Sequence, residues 1–523
     1  MAFRAPPAGT GTTVREAAFA VFTHWSVDRM FGNPGSTELP MLKGLPFPYV
    51  QGLNEAVVLG MADGYARAGG RAALVNLHSA AGTGHALGNL FTAWKNNAPV
   101  VVTAGQQARS ILPFDPFLFA DRATEFPRPY VKWAAEPARA EDVPLALIRA
   151  FAIALTPPMG PVFVSIPVDD WDRPCTMPAL PSLTTRTSPD PAGLAQLAAL
   201  LAGARNPALV LGTGVANAGG WDAAIACAEA SGAAVWAAPY AAREVFPEDH
   251  PHFAGFLPAW RDRLRELLQP HDAILVAGAP VFTWHVEGEG SFWPEGAALA
   301  LLSDDPQHGA ALPGGIGVLG DPGGGLAALA RMLPQPRGPA RSARAISPPE
   351  PAMTAAHVLS RIAALRPHGA VIVEEAPTAR GAMHDHLPIT HAGGFYTCAS
   401  GGLGHGLPAA IGVALAQPDR VIAVLGDGSA MYAIQGLYAA RNEGANVTFA
   451  VLNNGEYAAL TGFAGEFGLN HVPGCDLGGL DFVQLAVAQG VPARRVEQVG
   501  QLDEALCWSF AAGGPTLLDL RIA

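Results

Sequence analysis

The chain has 523 residues, half of them hydrophobic and 15% charged, enough for about three domains of ordinary size, each with its own core. That composition excludes a disordered chain. With 32 basic against 44 acidic residues the net charge is -12, which argues against a nucleic-acid partner, and no run of lysine or arginine offsets it.

No secretory signal pattern opens the chain; Thr13 and Glu16 instead form a capping box at the start of an amphipathic helix. The turn Asn33-Pro-Gly-Ser36 follows. Glu55 then opens a helix of small and apolar residues (EAVVLGMADGYARA), where a glutamate is ordinarily a dipole-favoured first-turn residue. Its apolar neighbours imply burial, and a buried carboxylate needs a partner. Through Arg71 the chain enters the strand AALVNLHSAAG, which ends in His78. Proline-rich segments at about 168–190 and 333–351 divide the chain into three domains, expected at 1–170, 185–335 and 350–523. The middle one alternates short apolar strands (ALVLGTG, AAVWAAP, AILVAGA, LALLSDD) with helical stretches, the pattern of a doubly wound parallel sheet. Its Gly212-Thr-Gly214 is only a fragment of a dinucleotide loop.

In the last domain a charge-free stretch from Cys398 to Pro418 is long enough to span a bilayer, but five glycines and Pro408 interrupt it. The following unit, AAIGVALAQPD, Arg420, VIAVLGDGSA, repeats in outline the helix, arginine and strand that lead to His78, with Asp427 where His78 stands. A duplicated α/β unit explains the likeness. The five cysteines, Cys175, Cys227, Cys398, Cys475 and Cys507, form no C-x-x-C pair and suit reduced thiols, so a soluble cytoplasmic protein with no membrane partner is expected.

Asp427 lies between two glycines where a strand gives way to a helix, the ligand-binding end of an open parallel sheet. After Gly428 come 24 residues and then Asn453-Asn454 at the end of a second apolar strand. Adjacent parallel strands would bring Asn454 beside Asp427, giving hard oxygen ligands for Mg²⁺ or Ca²⁺. The helix start at Gly428 and Ser429 offers N–H groups to phosphate.

The GDG, 24-residue, NN spacing is the diphosphate-metal signature of thiamine diphosphate (ThDP) enzymes. With NPGSTELP (33–40), NLHSAAGTG (76–84), VTAGQQ (102–107), PRPYVKW (127–133), GAPVF (278–282) and GGLGHGLPAAIG (401–412), the whole chain resembles the ThDP-dependent 2-oxo acid decarboxylases, most of all the benzoylformate decarboxylases. The resemblance implies an α/β fold of three doubly wound parallel-sheet domains and non-oxidative decarboxylation of an aromatic or bulky 2-oxo acid to an aldehyde. It implies ThDP and Mg²⁺, or Ca²⁺, held by Asp427, Asn454 and the main-chain oxygen of Glu456, with Thr378, Leu403, Gly428, Ser429 and Tyr457 at the cofactor. Glu55 would set the aminopyrimidine tautomer, Ser36 would orient the substrate carboxylate, and His78 and His285 would handle protons. Thr397, His405, Ala459, Leu460 and Phe463 would line the substrate pocket. Thr397 and His405 stand where the resemblance leads one to expect phenylalanines, which makes that pocket more open or more polar. A homo-oligomer is implied, a dimer at least and a tetramer by expectation. The alternatives are an acetolactate-synthase-like carboligase, a flavin-dependent ThDP oxidase and an inactive ThDP-fold binding protein; the last would usually lack Glu55 or Asp427.

Overall fold

A computed structural model describes residues 4–333 and 341–523. The second expected linker falls partly on 334–340, outside the described residues. The chain has three parallel-sheet α/β domains, and by compactness it forms two units. One comprises residues 1–185, 372–378 and 400–523; the other comprises 186–371 and 379–399.

The second unit carries the middle sheet, in the order Phe253–Phe256, Ala234–Ala237, Pro207–Leu211, Ala273–Ala277, Ala298–Ser303, Ile316–Leu319. All its neighbours pair in parallel. Winding outward in both directions from Pro207–Leu211, it is doubly wound as the alternation of strands and helices predicts.

Among the described residues the first unit holds two large sheets and an antiparallel pair, Gly11–Thr13 with Pro174–Thr176. One runs Tyr49–Gln51, Met30–Gly32, Ala73–Leu77, Val100–Gln106, Val162–Pro167, Ala134–Ala135, again with parallel neighbours. The other runs Val371–Glu375, Val421–Gly426, Val447–Asn453, Thr516–Arg521, Ala493–Val496. Helices cover both faces, so strands such as Val100–Gln106 and Val447–Asn453 are buried at every position and read as unbroken runs rather than alternating ones. From Met30–Gly32 and from Val371–Glu375 the two sheets proceed in the same order, each with its last two strands in sequence exchanged at the edge. His78 and Asp427 follow equivalent strands, which is the architecture a duplicated unit requires.

The Glu55 helix (Glu55–Gly69) and the helix Gly406–Ala416 cross within this unit. A Cβ on Gly64 would lie 2.2 Å from the carbonyl oxygen of Ala409, and one on Gly412 1.9 Å from that of Met61, so only glycine permits the approach. The lack of charge between Cys398 and Pro418 reflects this close helix packing. Among the described residues no helix is long and apolar enough to cross a membrane.

Candidate active site

At the carboxyl end of the first sheet the chain builds a titratable cluster. The NPGS turn brings Glu38, 1% exposed, against His78, with Nδ1 of the ring 2.9 Å from Oε2. Glu38 also accepts from Thr37 and from the backbone N–H of Gly35. A Cβ on Gly35 would sit 2.1 Å from Nδ1 of His78, so glycine at this place is what admits the imidazole. Ser79, next in the chain, is held at φ +48 and donates from Oγ to the Leu118 carbonyl at 2.6 Å, which fixes the turn that aims His78. Ser36 is exposed beside this cluster.

Glu55 lies at the start of its helix behind Asn54, which caps the helix by accepting from the N–H of Ala56. Its carboxyl is nearly buried and receives Asn33 Nδ2 on Oε1 at 3.2 Å and His85 Nδ1 on Oε2 at 3.0 Å. Partners thus exist for the carboxylate whose burial the sequence implies. Tyr49 stands close by; burial, then Glu38 and Glu55, push its phenol up, so it is neutral at physiological pH.

At the carboxyl end of the other sheet, parallel pairing of Val421–Gly426 with Val447–Asn453 carries the NNGEY segment to Asp427. Asp427 Oδ2 accepts from the N–H of Gly455 and Oδ1 from that of Gly428, both at 2.7 Å. Burial raises this carboxyl despite these bonds. Asn454 Oδ1 faces the N–H of Glu456 at 3.3 Å. A buried carboxylate short of compensation, a carboxamide oxygen and a nearby carbonyl form a donor set of the kind a hard divalent cation takes. The Tyr457 ring lies over Gly428, where a Cβ would come within 2.2 Å of it, and Ser429 is buried at the helix start. These residues fit a metal-bound diphosphate.

Glu375, at the end of the neighbouring strand, is completely buried and accepts from the N–H groups of Gly404, His405 and Gly406 at 2.7, 3.3 and 2.7 Å. Burial raises its carboxyl to about 8 in spite of them. It braces the loop that carries half-buried Leu403, which Asn89 holds from the other side by donating to the Gly404 carbonyl at 3.3 Å. Thr378 is exposed after the same strand.

The expected pocket residues take different places. The His405 ring is wholly buried, its Nε2 2.8 Å from Asp63 Oδ1 in a cluster with Arg67 and Asn96. Burial raises the Asp63 carboxyl, but His405 and Arg67 outweigh it and the net shift is downward. The imidazole is committed to closing a charged contact at the helix crossing. Ala459 and Leu460 are exposed on the helix Ala458–Ala464, and Phe463 is half-buried with its ring centroid 5.7 Å from that of Phe467. In the second unit His285 is exposed, and Thr397 is buried with Oγ1 accepting from Arg380 at 3.2 Å. The sequence reading missed Glu38, Glu375 and His85; only the glutamate in NPGSTELP had a local signal, three residues after Gly35.

Models of the thiamine pyrophosphate enzyme family match in three parts: the N-terminal TPP binding domain at residues 12–122, the central domain at 194–329 and the C-terminal TPP binding domain at 378–520. The chain is 42% identical to a benzoylformate decarboxylase of Pseudomonas aeruginosa, over 97% of this chain and 98% of that one. Among solved structures it resembles a ThDP-dependent 4-hydroxybenzoylformate decarboxylase of Rhodococcus jostii RHA1, with a TM-score of 0.94 and 38% identity over 98% of this chain and 99% of the other. A benzoylformate decarboxylase of Polynucleobacter necessarius gives a TM-score of 0.95 and 38% identity, covering 98% of each chain.

Proposed function

The chain belongs to the thiamine pyrophosphate enzyme family, and we propose that within it the protein removes CO₂ non-oxidatively from an aromatic 2-oxo acid and releases the aldehyde. The observation that carries this reading is the 42% identity to a benzoylformate decarboxylase over nearly the full length of both chains, beside a buried Glu55 and a Glu38-bound His78 at the carboxyl end of one sheet. ThDP, when bound, supplies the carbon nucleophile and the sink for the electrons that stay behind when CO₂ leaves.

The remaining work belongs to the chain. Asp427, Asn454 and the Glu456 carbonyl would hold Mg²⁺, or Ca²⁺. Gly428, Ser429, Thr378 and Tyr457 would hold the diphosphate end, and Leu403 would pack against the cofactor. Glu55 would hold the aminopyrimidine ring through a carboxyl oxygen. Ser36 would donate to the substrate carboxylate. His78, with Nδ1 committed to Glu38, would handle protons through Nε2, and His285 is a second candidate for proton handling. Phe463, with small Ala459, would offer room and an apolar face for a ring.

Exposed apolar residues favour a dimer at least. Leu39, Leu53, Phe114 and Phe117 lie in the domain of Glu55, and Tyr432, Leu460 and Phe467 in that of Asp427, with Phe117 87% and Phe467 72% exposed. Such side chains call for cover, and a second copy of the chain supplies it; a tetramer would be two such dimers. Cytoplasmic placement fits five cysteines with no C-x-x-C pair among them, four of them buried.

The test is CO₂ release from benzoylformate, 4-hydroxybenzoylformate, phenylpyruvate and pyruvate, with and without ThDP and Mg²⁺. Cofactor-dependent turnover of the first two is expected. Preference for pyruvate with carbon–carbon ligation would put the carboligase reading ahead.

A further inference from the structure

His85 enters none of the roles above, yet it touches the carboxyl on which the cofactor reading turns. It lies on the helix Ser79–Lys95, two turns after His78, and Gly82 lies between them on the same face. A Cβ on Gly82 would lie 3.4 Å both from Cγ of Glu55 and from Cβ of His78, so the Glu55 side chain crosses this face at the glycine. Nδ1 of His85 is 3.0 Å from Oε2, and Asn33 Nδ2 is 3.2 Å from Oε1. Both carboxyl oxygens therefore have a partner, and of the two partners only the imidazole has a proton it can pass to a carboxylate. The carboxyl is nearly buried, whereas the His85 side chain is 66% exposed and so links it to solvent.

We propose that His85 is a positioning residue for Glu55, holding the carboxyl against Asn33 and exchanging a proton with it. The proton passes from the imidazolium Nδ1 to Oε2, leaving a neutral imidazole and a carboxylic acid, and returns by the same path; no electrons are exchanged. Glu55 can then present either an acceptor or a donor to the aminopyrimidine ring. The other titratable groups facing this pair are Glu38 and His78, which are committed to each other, and Tyr49, whose phenol stays neutral. The inference rests on the cofactor reading above and deepens it.

Two variants separate holding from exchange. His85→Asn keeps a donor at the place of Nδ1 but cannot titrate; His85→Leu removes both. ThDP affinity is read by tryptophan fluorescence quenching with Mg²⁺ present. His85→Leu is expected to bind about tenfold more weakly, the scale of a hydrogen bond to a charged group, and His85→Asn to recover most of that loss. Between pH 5.5 and 8 the wild-type affinity and the circular-dichroism band of the bound aminopyrimidine should change with a limb that is missing in His85→Asn. Wild-type affinity in both variants, or a pH profile of His85→Asn that superimposes on wild type, overturns the inference. If the wild type itself fails to bind ThDP, it is the cofactor reading that falls.

Discussion

His78 and Asp427 occupy the same place in two sheets of the same order, and their surroundings are opposite. Around His78 the sheet edge is furnished with side chains that titrate or brace: Glu38 on His78, His85 on Glu55, Asn33 on the other oxygen of Glu55. Around Asp427 it is furnished with backbone: N–H groups of Gly428 and Gly455 on the carboxylate, and a glycine covered by the Tyr457 ring. On the proposed function, one edge would serve proton transfer to a flat heterocycle and the other would hold a diphosphate and a cation. The framework fixes where a ligand lies, and the residues after each strand decide which chemistry it meets.

The most severe way to test the contrast is Glu55→Gln. Turnover should fall by about two powers of ten or more while the fold is kept, because the amide preserves size but cannot exchange a proton. Hydrogen–deuterium exchange at C2 of bound ThDP, followed by NMR, should slow in step; exchange at the wild-type rate would remove Glu55 from this role. At the other edge Asp427→Ala should act on affinity. Mg²⁺-dependent ThDP binding is expected to weaken at least about tenfold, a scale reached when even an outer partner of a metal ligand is lost. Co-expression of these two inactive chains should recover activity if each site draws on two chains, and an active monomer in sedimentation would refute that arrangement.

Glu38→Gln sharpens the comparison within the first edge. Loss of the carboxylate behind His78 should lower kcat about tenfold and displace the pH profile of kcat/KM, with ThDP affinity unchanged. Ala459→Ile should shift preference from benzoylformate toward short aliphatic 2-oxo acids by about 1 kcal/mol, roughly fivefold, as filling a hydrophobic pocket does. The second unit supplies a control. Burial raises the Glu248 carboxyl to about 8, with the N–H of Ile389 donating to Oε2 at 3.0 Å in partial opposition. A carboxyl raised in the folded state keeps its proton there and loses it in the unfolded chain, so stability declines as pH rises from about 4.5 toward 8. Glu248→Gln should flatten the fall of Tm across that window and leave turnover as it was.

The apolar strand runs, the glycine-bounded Asp427, the spacing that leads to Asn454 and the isolated Glu55 are legible in the chain without its fold, because each is a matter of near neighbours and strand period. The sequence also marked the likeness of the two helix-to-strand units, which the shared strand order explains. Tertiary structure alone decided the partners. His78 and Glu38 are 40 residues apart, His85 and Glu55 are 30, and His405 meets Asp63 across 342. No local propensity pairs such groups. Burial makes an unpartnered charge costly, and the chain satisfies it with whatever side chain the sheet order and the glycine-closed helix crossing bring within reach. That is why His405 serves the helix crossing, and why the carboxylate behind His78 came to light only in the fold.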